Sequence, residues 1–367
     1  MNKLIFANLL HRPLRSIISL LAVAIEVIMI LSVVAIFMGI VNDSRARTNG
    51  IGADLVMLPS GASLISGLST ASMPVNDAIA LRKLPHVAIV SPAIQQTVTS
   101  STSISVNYGI DYDSFNAMRP FVFVAGGPFQ GPNDAIIDSV LASAKHYQVG
   151  GTIKVLGQDF RISGIVEPGK GGRTMVPLAT LAQLMGVDNK ASVFYIKCDS
   201  PANESLVTHE ILATPGLERN EIVTLNDLLS QMTPSHLPGF NVAISAVTGI
   251  AVVVGFLVIF QAMYTAVLER TREIGILKSM GASRSTIVGV VLRECAVLAI
   301  AGVLLGIGGT YGLRELMGHL FPTMPFQITA DWIAKGASIA FIGSLFGAVY
   351  PAFMAARKDP IDALAYE

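Results

Sequence analysis

Long apolar runs alternate with more polar stretches along the chain, and the runs have the length of membrane-spanning helices. Each is roughly 20 or more residues, which an α-helix needs to cross a hydrocarbon core of about 30 Å. The runs are Ile17–Val41, Val242–Val267, Cys295–Leu313 and Ile333–Met354. A core helix of a soluble protein carries a polar face, which these runs mostly lack. The pattern therefore predicts four transmembrane helices.

The stretch between the first and second runs has a different pattern, with short segments bounded by glycine and proline. Strand-like segments rich in β-branched or aromatic residues are Ala88–Val90, Ser103–Ile110, Phe121–Val124, Thr152–Val155, Phe160–Val166 and Ser192–Lys197. Helix-like segments are Val75–Leu84, Ala135–His146, Pro177–Met185, Pro201–Ala213 and Leu225–Met232, with Asn133-Asp134 and Asn226-Asp227 as candidate caps. This mixture predicts an independent α+β domain inserted between the first two spans.

The predicted fold is thus an α-helical membrane protein with four spans and one large α+β domain outside the membrane. The division is an amphipathic N-terminal helix (1–16), a first span (17–41), the inserted domain (42–239), a second span (240–267), a charged connection (268–294), a third span (295–313), a short loop (314–332), a fourth span (333–354) and a tail (355–367). The first span is longer than the apolar core of a signal peptide, so we expect it to remain as an anchor.

Composition and charge support this fold and indicate its orientation. Hydrophobic residues make up 52% of the chain and charged residues 14%, with a mean hydropathy of +0.60, which is unusual for a soluble protein. Near the ends of the spans, lysine and arginine are most frequent in 1–16, 268–294 and 355–367, so both termini and the connection are expected in the cytoplasm. The inserted domain would then lie on the opposite, extracytoplasmic side of the membrane. A net charge of zero offers no electrostatic argument for nucleic acid as a partner.

Motifs for catalysis or metal binding are weak. Gly164 to Gly171 matches most of a phosphate-binding loop, but Gly171 stands where a serine or threonine should hold Mg²⁺, so we interpret the segment as a turn. The six histidines are scattered, and the two cysteines, Cys198 and Cys295, lie in different regions. We predict no catalytic residue, no metal site and no disulfide. A membrane-anchored enzyme is therefore a disfavoured alternative.

The connection 268–294 places many charges between two apolar runs. Treated as a helix over Ala266–Met280, it pairs Glu269 with Arg272 and Arg270 with Glu273 at i,i+3. Its apolar residues Ile274, Leu277 and Met280 form a narrow strip. Gly281 suits the end of this helix, and Ser283 can cap the next one. The pattern fits a solvated loop that obeys the positive-inside rule, or an amphipathic helix that docks on a cytoplasmic partner.

The segment ERTREIGILKSMGASRSTI resembles the signature of MacB/FtsX-type ABC transporter permeases. Further similarity extends over nearly the whole chain in the same order, in NLLHRPLRSIISLLAVAI, GADLVMLPSGAS, VGGTIKVLGQDFRISGIVEPG, MVPLATLAQLMG and AARKDPIDALAYE. In that family the helix between the second and third spans couples to the ATPase. The resemblance assigns this role here to Glu269, Arg270, Arg272, Glu273, Ile274, Gly275, Leu277, Lys278 and Gly281.

The resemblance implies the permease subunit of an ABC transporter, which exports or extrudes a lipophilic, lipoprotein, drug or peptide cargo by mechanotransmission. MacB carries its ATPase on the same chain, whereas this sequence shows none, so we expect a separate ATPase in two copies that holds the ATP and magnesium. A second permease copy, forming a homodimer, and membrane lipid are expected partners. A membrane-fusion protein or outer-membrane channel is left open. The alternative is an FtsX-like transducer that activates an outer cell-wall hydrolase without moving cargo.

Two features inside the spans are further candidates. Glu26 lies within the first apolar run, where an ionised carboxylate costs at least about 2.5–3.5 kcal/mol, so it should face protein or water or be protonated. It is either a substrate or coupling contact, or an acid hydrogen-bonded to a neighbouring span. Glycines four residues apart permit close helix contact, for which we favour packing within the chain, at Gly302 and Gly306, Gly308 and Gly312, and Gly343 and Gly347.

Overall fold

The computed structural model describes residues 13–62, 73–99, 104–233 and 240–358. Residues 1–12 of the expected N-terminal helix and 359–367 of the expected tail lie outside these ranges. The described residues form two compact units. The membrane unit comprises residues up to 39, from 240 to 320 and from 326 onward; the outer unit comprises residues from 40 to 233 and from 321 to 325.

Among the described residues, four helices are long and apolar enough to cross a membrane. They are α1 (Pro13–Asn49), α8 (Phe240–Glu269), α10 (Arg284–Leu320) and α11 (Ala330–Arg357), and a short helix α9 (Thr271–Ser279) follows α8. The helices extend beyond the apolar runs, because polar residues continue a helix as readily as apolar ones outside the hydrocarbon. The end of α1 belongs to the outer unit, as does the segment 321–325 between α10 and α11.

Small residues bring α1 and α10 close together. A Cβ atom added at Gly302 would lie 2.7 Å from Cβ of Val23, and one added at Gly306 would lie 2.7 Å from Cβ of Val27. Real Cβ atoms do not approach so closely, so only glycine permits this packing. The expectation of intrachain packing is confirmed for this pair.

The other two glycine pairs differ from each other. A Cβ at Gly347 would lie 2.9 Å from the carbonyl oxygen of Phe256, and one at Gly343 would lie 3.7 Å from Val252, so this pair lies at the α8–α11 contact. No atom of the described residues lies within 4 Å of a Cβ added at Gly308 or at Gly312. The sequence spacing is the same in all three pairs, but among the described residues only two of the pairs lie at contacts between helices.

The outer unit is built on one large mixed sheet. Its strands are β1 (Leu55–Leu58), β3 (Val87–Thr99), β4 (Ile104–Ile110), β5 (Phe123–Gly126), β6 (Asp134–Asp138), β7 (Thr152–Val155), β8 (Gln158–Val166), β9 (Thr174–Pro177), β11 (Val193–Cys198) and β12 (Glu221–Thr224), while β2 (Met73–Pro74) and β10 (Lys190–Ala191) pair separately. The order is β12-β1-β11-β3-β4-β9-β6-β8-β5, and β7 pairs with β8. The β4–β9 and β6–β8 pairs are parallel, and the other pairs are antiparallel.

Short helices cover this sheet. They are α2 (Asp77–Leu81), α3 (Tyr112–Met118), α4 (Ser139–Lys145), α5 (Leu178–Leu184), α6 (Glu204–Ala213, preceded by a 3₁₀ turn at Pro201–Asn203) and α7 (Leu225–Gln231). The expected helix starts near Pro177 and Pro201 are confirmed. Aromatic and aliphatic side chains from the sheet and helices fill three buried clusters.

The predicted helix Ala135–His146 is wrong in its first part. The segment begins as the central strand β6, all of whose residues are buried, and only then becomes α4. A short apolar run fits a buried strand as well as a helix, so periodicity could not separate the two. The cap is Asp138, whose carboxylate accepts from the Leu141 amide at 2.7 Å, whereas the proposed cap Asp134 binds Arg161.

The predicted cap of α7 is also wrong. Thr224 caps this helix, and its hydroxyl accepts from the Asp227 amide at 3.0 Å. Sequence analysis missed β1, β2, β9, β10, β12 and α3 entirely. These elements have between two and seven residues, too few for a periodic pattern to stand out.

Candidate functional site

The charged connection forms a helix of its own. The predicted continuous helix Ala266–Met280 is interrupted at Arg270, where φ is −106° and ψ is 19°, and α9 begins at Thr271. The buried Thr271 hydroxyl donates to the carbonyls of Leu268 (2.7 Å) and Val267 (3.2 Å). Such local side-chain bonds compete with the helix ladder and bend helices. The chain therefore turns where α8 ends.

Arg270 pairs across the chain with Glu294 of α10. Its Nη1 atom lies 2.9 Å from Oε2 and 3.2 Å from Oε1, and the side chains are only 11% and 5% exposed. Among the ion pairs of the described residues, the expected Arg270–Glu273 pair does not occur. A buried arginine needs a carboxylate that accepts its donors within the protein, and an exposed neighbour on its own helix cannot supply this. The pair joins the α8–α9 junction to α10.

Lys278 attaches the C-terminal end of α9 to the end of α11. Its Nζ atom donates to the carbonyl of Ala356 at 3.1 Å and also to the carbonyl of Lys358. Both acceptors lie at the end of α11, where helix carbonyls lack intrahelical partners and a cation is favourable. The helix α9 is therefore attached to α10 at its start and to α11 near its end.

The apolar strip predicted for this helix has two different environments. Ile274 is buried against Val267, Ile287 and Ala355. Leu277 and Met280, by contrast, are 37% and 71% exposed, and Ile276 beside them is 44% exposed. One apolar side of α9 thus packs on the rest of the membrane unit. A second apolar side is exposed at the surface of that unit.

The remaining charged and small residues assigned to this site, in and beside α9, differ in exposure. Glu269, Arg272 and Glu273 are exposed, whereas Gly275 is buried where α9 packs on the unit. Gly281 has a φ of +92°, and its amide donates to the Lys278 carbonyl, so the predicted helix stop is confirmed.

The start of α10 also agrees with expectation. The Ser283 hydroxyl accepts from the Thr286 amide at 3.2 Å, so Ser283 caps the helix as predicted.

Between α8, α9 and α10 lies a largely apolar cavity of about 450 Å³. The Arg270–Glu294 pair lines it together with apolar residues of the three helices, among them Met263, Ile274, Leu277, Ile287 and Val291. A cavity of this kind is typical of sites that receive an apolar group beside a few polar ones. Sequence analysis did not select Glu294, although an acid at a membrane boundary was a usable signal.

Glu26 is buried in the membrane unit. It is 4% exposed, and neither carboxylate oxygen has a hydrogen-bond partner among the described residues. A Cβ at Gly255 would collide with its carboxylate, and one at Gly343 would lie 3.9 Å from Oε1. The expected hydrogen bond from Glu26 to a neighbouring span is therefore absent among the described residues; the Thr265 hydroxyl of α8, for example, donates to the Gln261 and Ala262 carbonyls.

The segment that resembled a phosphate-binding loop serves a structural purpose in the outer unit. The Lys170 amine points inward, donating to the Phe115 carbonyl at 3.0 Å and to the Arg119 carbonyl, and lies 4.0 Å from the ring centroid of Phe121. Burial, together with the positive charges of Arg119 and Lys197, lowers the pKa of Lys170 to about 7. The amine is therefore occupied by carbonyls at the end of α3, in agreement with the interpretation as a turn.

Comparison with known proteins assigns two families to this arrangement. Residues 16–214 match the MacB-like periplasmic core domain, and residues 245–360 match the FtsX-like permease C-terminal domain. The macrolide export ATP-binding/permease protein MacB of Shewanella sp. (strain W3-18-1) is 28% identical over 97% of this chain and 59% of its own length. This chain thus spans 59% of the length of that relative.

Relatives of similar length occur in Bacillus subtilis (strain 168). The ABC transporter permeases YvrN and YknZ are each 25% identical, and the matches cover 99% and 100% of this chain and 98% of each relative. Among solved structures, the periplasmic region of MacB from Actinobacillus actinomycetemcomitans matches 50% of this chain and 94% of its own, with a TM-score of 0.39 and 16% identity. On the strength of the two family matches, the chain belongs to the MacB/FtsX-type ABC transporter permeases.

Proposed function

We propose that this permease transmits movements of a separate ABC ATPase through α9 to its membrane helices and outer domain, and thereby exports its cargo. Members of this permease family work with an ABC ATPase. The chain itself contributes no catalytic residue to the proposal; ATP and magnesium bind to the ATPase. The cargo class is a lipophilic molecule, lipoprotein, drug or peptide, in keeping with the macrolide export named for the MacB relatives.

The observation that carries this proposal is the attachment of α9 at both ends. Arg270 binds Glu294 of α10, and Lys278 binds the carbonyls that end α11. Breaking a buried ion pair by removing one partner costs about 3–5 kcal/mol, so the Arg270–Glu294 pair resists separation under load. A displacement of α9 therefore displaces α10 and α11 with it, in addition to α8, which precedes it in the chain.

The open side of α9 is suited to receive the ATPase. Ile276, Leu277 and Met280 form an exposed apolar patch bordered by the charged residues Arg272 and Glu273. Apolar patches rimmed by polar groups mark protein interaction sites on soluble surfaces. In this arrangement α9 and both termini face the cytoplasm of a bacterial inner membrane, and the outer unit lies on the other side.

The simplest assembly is a permease homodimer with two ATPase copies, because a two-fold motor matches a two-fold permease. A membrane-fusion protein or outer-membrane channel would extend it. The MacB-like outer part supports export over an FtsX-like signalling role, in which the same motion would activate a cell-wall hydrolase.

Association with the ATPase provides the test. Glu273→Lys combined with Gly275→Pro should abolish association, because proline removes an amide and breaks α9 at a buried position. A gentler pair, Leu277→Asp with Met280→Asp, should have the same effect by placing charge in the apolar patch. The measurement is co-purification from membranes, with the ABC ATPase identified by mass spectrometry and by its ATP hydrolysis.

The matched control is Val122→Asp with Val124→Asp. These valines are 56% and 61% exposed in the outer unit, so the same change of chemistry should leave association unchanged. Wild-type recovery of the ATPase with both α9 variants, inserted normally in the membrane, would refute the docking role.

A further inference from the structure

The turn between β8 and β9, residues 167–173, packs against the end of α1 within the outer unit. The Gly171 amide donates to the carbonyl of Arg47 at 3.1 Å. A Cβ at Gly50 would collide with the carbonyl of Gly169, so glycine is required for this approach. The turn thus holds the last part of the helix that begins, at Pro13, in the membrane unit.

Arg173 closes this turn and binds three separate elements. Its Nη1 atom lies 3.0 Å from Oδ2 of Asp138, at the end of β6. Its Nη2 atom lies 3.2 Å from Oδ2 of Asp43 on α1 and 3.3 Å from the carbonyl of Thr323, between α10 and α11. The Arg173 side chain is 15% exposed, that of Asp138 4% and that of Asp43 26%.

Arg173, Asp138, Asp43 and Thr323 form a cluster, and its two residues on the sheet, Asp138 and Arg173, make further hydrogen bonds. Asp138 accepts from the Leu141 amide with its other oxygen, and its own amide donates to the Arg173 carbonyl at 3.0 Å. Both residues therefore have fixed positions on the sheet. Of the remaining partners, Asp43 lies within α1, where it also pairs with Arg47, and Thr323 lies on the connection between α10 and α11.

The chemistry of the cluster requires an arginine. A guanidinium group is planar and offers five donors in a fixed geometry, so one side chain can bind a carboxylate on each side and a carbonyl as well. The lysine ammonium is a compact point charge on a flexible stem and cannot span the same three acceptors in one geometry.

We propose that Arg173 is a positioning residue that transmits movement of α1 and of the α10–α11 connection to the outer domain. It does so by joining Asp43 and Thr323 to Asp138. The inference rests on the proposed function only in that the movement starts at α9. Because α1 is one helix from Pro13 to Asn49, displacement of its membrane part displaces Asp43, and Arg173 passes that displacement to β6.

Amide hydrogen exchange of the full-length permease in lipid nanodiscs tests the linkage in two arms. In the permease alone, Arg173→Lys should accelerate exchange about tenfold both in residues 40–49 and in 321–325, because two segments lose one shared anchor. Asp43→Asn should accelerate exchange in 40–49 alone. Exchange in β3 and β11, away from the cluster, should stay unchanged in both variants.

The second arm uses the complex with the ABC ATPase, with and without ATP. In the wild type, ATP should alter exchange in α9 and in β6 and α4. Arg173→Lys and Asp43→Asn should keep the response in α9 and lose it in β6 and α4. A variant that merely weakened folding would not separate the two responses in this way.

Arg161→Lys is the matched control, because Arg161 also binds an aspartate, Asp134, at 3.0 Å, but lies within the outer unit away from α1. It should retain both ATP responses. Unchanged exchange in 40–49 and 321–325 in Arg173→Lys would overturn the linkage, as would an intact β6 response in the complex. Absence of any wild-type response in α9 would instead count against the proposed function, and the first arm would still decide whether Arg173 joins the segments.

Discussion

The outer unit and the membrane unit are packed with different side chains. The largest fully buried residues are aromatic and belong to the outer unit, among them Tyr195, Phe115, Phe160 and Phe194. In the membrane unit, the close approaches occur at glycines such as Gly306. Water drives large apolar groups into a core, whereas lipid gives no such drive between helices. Helices in lipid gain instead from close van der Waals contact, which small residues permit.

The largest effect is expected from removing a buried aromatic ring from the core of the outer unit. Phe160→Ala removes a fully buried ring on β8 and should destabilise the outer unit by about 3–5 kcal/mol. Amide exchange in β8 and β11 under increasing denaturant measures the loss. Phe346→Ala is the control, because this phenylalanine of α11 is 66% exposed within the chain. Equal effects of the two substitutions would contradict the assignment of the aromatic core.

A smaller effect is expected from filling a glycine contact in the membrane unit. Gly306→Leu forces a side chain against Val27 and should cost about 1–3 kcal/mol through overpacking and separation of α1 from α10. The single tryptophan, Trp332, packs with the helices of this unit, so its fluorescence during thermal unfolding reports the change.

Gly308→Leu provides the comparison within the same helix. Since no described atom lies within 4 Å of the added Cβ, we expect this substitution to leave the unfolding temperature nearly unchanged. If Gly308→Leu destabilised the permease as much as Gly306→Leu, helix propensity or contacts between protein copies would explain the effect better than the α1–α10 contact.

The smallest effect concerns a buried amine of the outer unit. Burial lowers the pKa of Lys170 from an ordinary 10.5 to about 7. Between these pH values the unfolded chain binds a proton that the folded chain does not, so stability should rise with pH, by at most about 1.4 kcal/mol per pH unit. The two carbonyl acceptors favour the charged amine and reduce this slope.

Lys170→Met isolates that contribution. Methionine keeps an apolar stem against the rings of Phe115 and Phe121 but does not titrate. The difference in unfolding free energy between wild type and variant, measured from pH 7 to 10 by amide exchange of the outer unit, should change in favour of the wild type as pH rises. Parallel pH profiles would show that the amine stays charged in the folded chain.

Much of this architecture was predictable from local patterns. The four apolar helices, the α+β character of the inserted domain, the glycine stop at Gly281 and the Ser283 cap each depend on residues close together in the chain. The helix break at Arg270 was not predicted. It depends on the burial of Thr271 and Arg270 against neighbouring helices, which overrides a continuous helical pattern.

In the candidate site, too, local features were predictable and contacts between distant residues were not. The residues of α9 could be selected from the sequence and from its family resemblance, but their partners could not. Arg270 binds a residue 24 positions away, Lys278 one 78 positions away and Arg173 one 130 positions away. Nearby opposite charges at i,i+3 were the only partners that a linear pattern could suggest.

The amino-acid sequence alone indicated which segments are apolar enough for lipid, predicted an α+β domain between the first two of them, and carried the resemblance to a family. These properties follow from composition and periodicity over short distances, which do not change with the rest of the fold. Three features become visible only in the folded chain: α9 is attached to α10 and α11, Glu26 lies against two glycines, and Arg173 joins α1 to the sheet. A buried charge takes whichever acceptors the packed helices and strands bring within reach, and that choice is made when the chain folds.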